Sequence, residues 1–341
     1  MNVKEAEMNH FANRSGDFDS IPVIDFGGLP RGESEVAEAL RDACTNVGFF
    51  YLVNHGIDGD LIDEMFIQCK RFFALPLDDK LQLHVKRSAH LLGYIAMQDE
   101  KTNALAKQGD LHEAFDFVPP DLEADGELMA GDFRQIGNLW PDHLTGFEET
   151  LLRYSIAMKR LSRQLFRAFA LALELPDDYF AALTNRPMTL VRMLHYPSQP
   201  GPFDESRLGT GAHTDHECFT ILRQDEVKAL QVRNRRGEWI DAPPMPGAFV
   251  VNIGDQMARW TNGLFASTPH RVANLSGRAR HSIPCFVGAN AEAVIQALPS
   301  CVSAANPAKF APVVAGEYVS ALIYHNLHGN QQPHPLKQGT A

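Results

Sequence analysis

The sequence predicts a mainly β protein flanked by helices, and three observations carry that expectation. From about residue 185 onward, short strand-forming runs are separated by Gly, Pro, Asn and Asp: TLVRMLHY (189–196), FTILRQ (219–224), ALQVRN (229–234), AFVVNIG (248–254) and RHSIPCFVG (280–288). No helical pattern interrupts them, so they suit a barrel or sandwich rather than a parallel sheet with crossover helices. One long helical signal, FEETLLRYSIAMKRLSRQLFRAFALALEL (147–175), stands before them, and the first 75 residues alternate strand and helix signals.

Taken in order, residues 1–20 form a polar lead-in, and IPVIDF (21–26) reads as a strand. SEVAEALRDACTNVG (34–48) is helical, with Val36, Leu40 and Ala43 on one face and Gly48 as its stop. FFYLVNHGI (49–57) is a buried strand closed by a glycine turn, and GDLIDEMFIQCKRFFAL (59–75) is an amphipathic helix built on Leu61, Met65, Cys69 and Phe72. The charged stretch 78–140 is expected to hold loops and short strands flanking a pocket. In the long helix, Leu151, Met158, Leu161, Leu165, Phe169 and Ala172 recur at helical spacing and Pro176 marks the end; it is read as a structural spine. The expected division is an N-terminal region over 21–145, the spine over 146–185, the β region over 186–325 and a mobile tail over 326–341.

Composition narrows the function. A net charge of −11 disfavours nucleic acid and anionic membranes as partners, both of which call for a basic face. The N-terminus lacks the apolar core of a signal peptide, and no apolar run is long enough to span a bilayer. Five separated cysteines, with no CxxC, fit reduced thiols and a cytoplasmic protein. No GxGxxG follows a strand and there is no Walker A motif, so nucleotide binding has no support.

The chemistry concentrates in GAHTDHECFTIL (211–222). In an extended segment positions i and i+2 point the same way, so His213 and Asp215 can meet at one metal. His270, in STPHRV (267–272), supplies a second imidazole from a later strand. Two histidines and one carboxylate leave open positions of the kind used in non-haem Fe(II) and O2 chemistry. By itself HxD is a common pattern, and a chain with 14 histidines always offers a later one. Further support comes from RHS, where Arg280 and Ser282 share a strand face and form a receptor for a carboxylate.

These segments resemble the isopenicillin N synthase-like family of iron(II)/2-oxoglutarate-dependent oxygenases. IPVIDF, VGFFYLVNHGI and GDLHEAFDF are similar to the family's N-terminal region. LHYPSQP, GAHTDHECFTIL, ALQV, VVNIGDQMARWTNG, STPHRV and RHSIPCF are similar, in order, to its catalytic core. The resemblance implies a distorted double-stranded β-helix, or jelly roll, with iron at one mouth. It implies His213, Asp215 and His270 as iron ligands, and Arg280, Ser282 and Tyr196 as the holders of the far carboxylate of 2-oxoglutarate. Asn252 matches a position near the pocket; a satisfied core amide is its other reading. The implied activity is oxidation of a small molecule by O2, usually hydroxylation, with release of succinate and CO2. The protein is expected to act as a monomer, as is usual in the family.

Other residues are read from strand alternation and position. Arg192 shares a face with Tyr196 and is a candidate substrate contact, an unpaired cation aimed at the pocket; Phe286 alternates with Arg280 and Ser282 and can pack on substrate. His216 is assigned to the surroundings of the metal or the surface. Glu217 would face the metal only if the strand continued unbroken. His55 is read as a structural histidine and Cys218 and Cys285 as core residues; His112 and Glu113 could line the pocket, with a helix or loop surface as their other and preferred reading. Gly254-Asp255 is expected to form a turn. A second reading within the resemblance is a ring-closing oxidase of thiol tripeptides that uses iron and O2 without 2-oxoglutarate. Thr214 between the ligands speaks against it, and the terminal Gln331 and Gln332 speak faintly for it. A third is a non-catalytic jelly-roll binding module.

Overall fold

A computed structural model describes residues 16–28, 33–102, 108–120, 137–199, 204, 205 and 207–328, with backbone alone for 323–328. The lead-in as far as residue 15 and the tail from 329, with Gln331 and Gln332, lie outside the described residues. Strand β1 (Val23–Asp25) leads through helix α1 (Glu33–Asn46) to β2 (Phe49–Val53), then α2 (Gly59–Phe73), the short α3 (Leu77–Gln82), β3 (Gly93–Ile95) and β4 (Glu113–Phe117). The long helix α4 (Phe147–Ala172) precedes β5 (Pro187–Tyr196), β6 (Thr210–His213), β7 (Phe219–Gln224), β8 (Leu230–Arg233), β9 (Trp239–Asp241) and β10 (Phe249–Ile253). Helix α5 (Asp255–Trp260), β11 (His270–Val272), β12 (Arg280–Asn290), the small ribbon β13 (Val294–Ile295) and β14 (Val313–Val314), and helix α6 (Ala315–His328) complete the described chain.

Two sheets face each other. The major one runs β1-β2-β10-β7-β12-β5-β4-β3 and the minor one β6-β11-β8-β9. Each strand of the major sheet divides its side chains between two environments, because alternate residues point to opposite faces. Along β12, Ile283, Cys285 and Val287 join the helix-covered core, while Arg280, Ser282, Pro284 and Phe286 line a cavity. Phe219 and Ile221 of β7, and Val191 and Met193 of β5, fill the same core. The strands of the N-terminal region complete this sheet at both edges.

The helices form where apolar residues recur every three or four positions. All six expected spine residues of α4 are buried. The helix stops at Ala172, short of Pro176. The Leu175 amide donates to the Ala170 carbonyl at 2.9 Å and the Glu174 amide to the Leu171 carbonyl at 3.0 Å, with Glu174 at φ +58. That is a Schellman closure, and it terminates a helix without proline. Gly48 does the equivalent after α1 at φ +72, and a Cβ there would sit 2.1 Å from the Ala266 carbonyl oxygen. Gly254 and Asp255 open helix α5, in place of the expected turn.

Among the described residues, the stretch 78–140 holds the short strands β3 and β4 and loops that flank a cavity, as expected. His112 and Glu113 are both buried, not on a helix or loop surface. His112 stands just before strand β4 and lines the cavity, whereas Glu113 opens the strand and turns to a separate polar network. Glu113 Oε2 accepts from Lys80 Nζ at 2.6 Å and from the Tyr94 hydroxyl at 2.6 Å, and Oε1 lies 2.8 Å from His195 Nδ1. This network ties α3, β3, β4 and β5 together. Burial raises the Glu113 carboxyl, but hydrogen bonds from His195, Lys80 and Tyr94 outweigh it and hold it at about 2. A depressed carboxylate stabilises the fold above its unfolded value near 4.5 and loses that contribution as pH falls through about 2. Glu113→Gln is therefore expected to lower unfolding free energy by about 3 kcal/mol at neutral pH, the scale of a broken buried ion pair. Urea titration at several pH values should show the gap between variant and wild type closing from about pH 4.5 downward.

Candidate metal centre and active site

The HxD pattern works here across a strand end. His213 is the last residue of β6, and the chain leaves the strand before Asp215. His270 opens β11 and is the direct cross-strand partner of His213. Their rings lie 4.2 Å apart, and both Nε2 atoms face Asp215 Oδ1, at 3.4 Å from His213 and 3.6 Å from His270. One ligand atom from each of the three residues falls within 4.8 Å of the others.

Each ligand is oriented by a second contact. His213 Nδ1 lies 2.8 Å from the Gly211 carbonyl and His270 Nδ1 lies 3.2 Å from the Thr268 carbonyl. A carbonyl only accepts, so each Nδ1 carries the proton and each Nε2 presents its lone pair. Asp215 Oδ2 accepts from Asn252 Nδ2 at 2.7 Å and from the Thr220 hydroxyl, which leaves Oδ1 for the metal side. Asn252 and Thr220 are themselves paired across β10 and β7. Burial, with His213 beside it, lowers His270 to about 4, so the ring is a neutral donor at ordinary pH. Burial raises the Asp215 carboxyl, but His270, His213 and Asn252 outweigh it and keep it ionised. The donor set thus fits a divalent ion of the Fe(II) type, with one face open.

The centre opens into a cavity of about 740 Å³ between the two sheets. The expected residues Tyr196, Arg192, Asn252, Arg280, Ser282 and Phe286 all line it. Arg280 is fully buried. Its Nη1 donates to Ser282 Oγ at 3.2 Å and its Nη2 to Gln224 Oε1 at 3.0 Å, while the buried Nε has no partner. The guanidinium lies 4.8 Å from the Tyr196 ring centre, and no carboxylate pairs with it among the described residues. The Tyr196 hydroxyl stands 3.4 Å from Thr210 Oγ1.

Arg192 is not the unpaired cation anticipated. It holds Asp116 through Nε and Nη2, both at 2.7 Å, and Glu100 through Nη1 at 2.8 Å and Nη2 at 3.0 Å. Burial raises the Glu100 carboxyl, yet Arg192 and His112 bring it down to about 2. His112 joins the cluster, with Nδ1 2.7 Å from the Gly209 carbonyl and Nε2 3.3 Å from Glu100. His216 lines the cavity beside Asp255, whose Oδ2 is 3.6 Å from its Nδ1. The strand does not continue to Glu217, which lines the cavity without joining the metal cluster. His55 is structural, as expected: Nε2 meets the Gly247 carbonyl at 3.1 Å, and Nδ1 accepts from the Ile57 amide. Cys218 and Cys285 are core residues.

Alternation carried further would have identified more of the wall. Asp116 of β4 lies four residues after His112, and both line the cavity, as do Thr220 and Leu222, which are i and i+2 on β7. The contribution of α6, through Val319 and Ser320, has no local signal in the sequence.

Comparison with known proteins agrees with this geometry. The family described as non-haem dioxygenase in morphine synthesis N-terminal matches residues 21–143, and the 2OG-Fe(II) oxygenase superfamily matches residues 187–289. A homoarginine-6-hydroxylase of Oryza sativa subsp. japonica is 35% identical over 330 residues, covering 91% of this chain and 98% of the relative. A 2-oxoglutarate-Fe(II) type oxidoreductase of Emericella nidulans is 34% identical over 87% of this chain and 88% of its own. Among solved structures, a full-length Neurospora crassa protein in complex with alpha-KG and thymine superposes with a TM-score of 0.75 at 29% identity, over 88% of this chain and 95% of that one. A 2OG-Fe(II) oxygenase family protein of Caulobacter crescentus reaches 0.78 at 30% identity, over 90% and 99%. The jelly-roll expectation is met, and the full-length relatives favour 2-oxoglutarate use over the ring-closing oxidase. By fold, by donor set and by relatives matched along nearly its whole length, the chain belongs to the iron(II)/2-oxoglutarate-dependent oxygenases of the isopenicillin N synthase-like superfamily.

Proposed function

We propose that the protein hydroxylates a small-molecule substrate, with His213, Asp215 and His270 holding Fe(II) and Arg280 and Ser282 holding the far carboxylate of 2-oxoglutarate. The observation that carries the cosubstrate assignment is Arg280, a fully buried cation whose Nε–H has no hydrogen-bond partner and which makes no ion-pair contact among the described residues. A buried charge without a counterion is costly, and a bound carboxylate compensates it. Bound at the triad, iron supplies the O2 activation that couples decarboxylation of 2-oxoglutarate, to succinate and CO2, with oxidation of the second substrate.

The chain's own work is orientation. The backbone carbonyls of Gly211 and Thr268 fix both imidazole tautomers. Asn252 and Thr220 occupy one oxygen of Asp215 and keep the other turned to the metal. Gln224 and the Tyr196 ring hold the Arg280 guanidinium in place before cosubstrate arrives. The cavity wall is mainly apolar, which strengthens each of these polar contacts by excluding water.

The names of the relatives support a small organic substrate, since they include a homoarginine hydroxylase and a complex with thymine. Five buried cysteines without a bridge support a reducing compartment such as the cytoplasm. No described helix is long and apolar enough to cross a membrane. We retain the monomer as the working assembly, since one chain supplies every group of the proposed centre.

Two experiments test this reading. Under anaerobic conditions, adding Fe(II) and then 2-oxoglutarate to metal-free protein should give the visible charge-transfer band of the chelate. Arg280→Met should weaken 2-oxoglutarate by about thirty-fold or more, the effect of roughly 2 kcal/mol at a buried charge pair. It should leave thermal stability of the cosubstrate-free protein unchanged or higher, because no internal ion pair is lost. A loss of stability with retained band would assign Arg280 to the fold instead. For the metal, equilibrium dialysis against Fe(II) should show no stoichiometric binding by His213→Ala or His270→Ala. Asn252→Ala should bind roughly ten- to a hundred-fold more weakly, the usual cost of removing a group that orients a ligand.

A further inference from the structure

We propose that Glu217 is a specificity determinant of the substrate cavity and selects a substrate carrying a cationic nitrogen, an ammonium or guanidinium. This rests on the oxygenase reading above and adds the charge of the molecule to be oxidised. The backbone around Glu217 is fixed on several sides. The Gln256 amide donates to the Glu217 carbonyl at 3.2 Å, the Cys218 amide to the Val287 carbonyl at 2.9 Å, and the Gly254 amide to the Cys218 carbonyl at 2.9 Å. Gly254 is pressed so close that a Cβ there would lie 2.2 Å from the Glu217 carbonyl oxygen. Such anchoring gives the side chain a defined point of departure into the cavity that it lines.

Apart from its own amide, Glu217 has no hydrogen-bond donor and no ion-pair partner among the described residues. The cations of the wall are committed or remote. Arg192 is held by Glu100 and Asp116. Arg280 lies at the opposite end of β12. The contact between Cys218 and Val287 sets Glu217 at the Phe286 end of that strand, about 20 Å from Arg280 at some 3.3 Å per residue. Lys101 lines the cavity but makes no ion pair with Glu217. Around this end stand the apolar Met188, Leu190, Phe286 and Val319 together with Thr189 and Ser320, and His216, Asp215 and Asp255 are the charged or titratable neighbours of Glu217. A carboxylate with no ion-pair contact among the described residues, set near the further carboxylates of Asp215 and Asp255, is best matched by a cation, since charge-assisted hydrogen bonds are about twice as strong as neutral ones. Glu217 thus has the position of a substrate anchor, separate from the groups that hold the cosubstrate.

The test is a binding comparison on the anaerobic protein loaded with Fe(II) and 2-oxoglutarate. Calorimetric titrations would pair cationic probes with uncharged counterparts: L-arginine with L-citrulline, L-lysine with L-norleucine, and benzylamine with benzyl alcohol. At least one cationic probe should bind tenfold or more tighter than its counterpart. Glu217→Gln, which keeps the shape, and Glu217→Ala, which removes it, should each abolish that preference. The chelate band, read in the same samples, reports the 2-oxoglutarate site separately. With the band intact, three results overturn the proposal: equal binding of neutral counterparts, cation preference surviving in both variants, or no cationic probe binding at all. A wild-type protein that forms no band overturns the oxygenase reading itself, and this proposal with it.

Discussion

The arrangement turns on the divided duty of one carboxylate. Asp215 Oδ2 is held by Asn252 and Thr220, a cross-strand pair of the major sheet, while Oδ1 faces His213 and His270, a cross-strand pair of the minor sheet. Neither sheet contains the centre alone. The metal-binding face exists only where the two are set at a fixed separation, and the core beneath the major sheet sets it. Long helix α4 and the phenylalanines around it are remote from the chemistry, yet they fix the plane from which Asn252 and Thr220 project. Close packing makes that plane stiff, so a carboxylate hung between two sheets keeps its direction.

Two arginines on the cavity wall show how environment decides role. Arg192 and Arg280 both project inward, from β5 and β12. Arg192 is closed off by two bidentate carboxylates and joins loop 96–102 to β4 and β5 as a structural clamp. Arg280 is met by a hydroxyl, an amide oxygen and an aromatic face, which steady the guanidinium; the Asp225 carboxylate acts on it electrostatically without an ion-pair contact.

Much of this was legible in the sequence, and the limits follow from physics. Period-two alternation gave β5, β7 and β12 and the inward direction of Arg280, Ser282, Tyr196 and Phe286, because alternation is a local geometric rule. The triad was legible through His213-x-Asp215 together with the later His270. The pairing of Arg192 was not, since its partner Glu100 lies 92 residues away on an irregular loop. Helix α4 was read three residues too long because proline is an obvious stop, whereas Glu174 in a left-handed conformation is a hidden one. Glu217 could not be placed by alternation, because the chain leaves its strand at His213 and pairing no longer governs direction beyond it.

The pairing of His213 with His270 has a consequence for how the protein matures. The two imidazoles meet only if β6 and β11 are aligned in one register; a slip of a single residue turns His270 to the other side of its sheet. An ion that requires both rings therefore binds the correctly aligned chain and none of the misaligned ones. By mass action it draws the population toward that alignment, in proportion to how far its concentration exceeds the dissociation constant. An ion held by this pair would thus also favour the aligned register of β6 and β11.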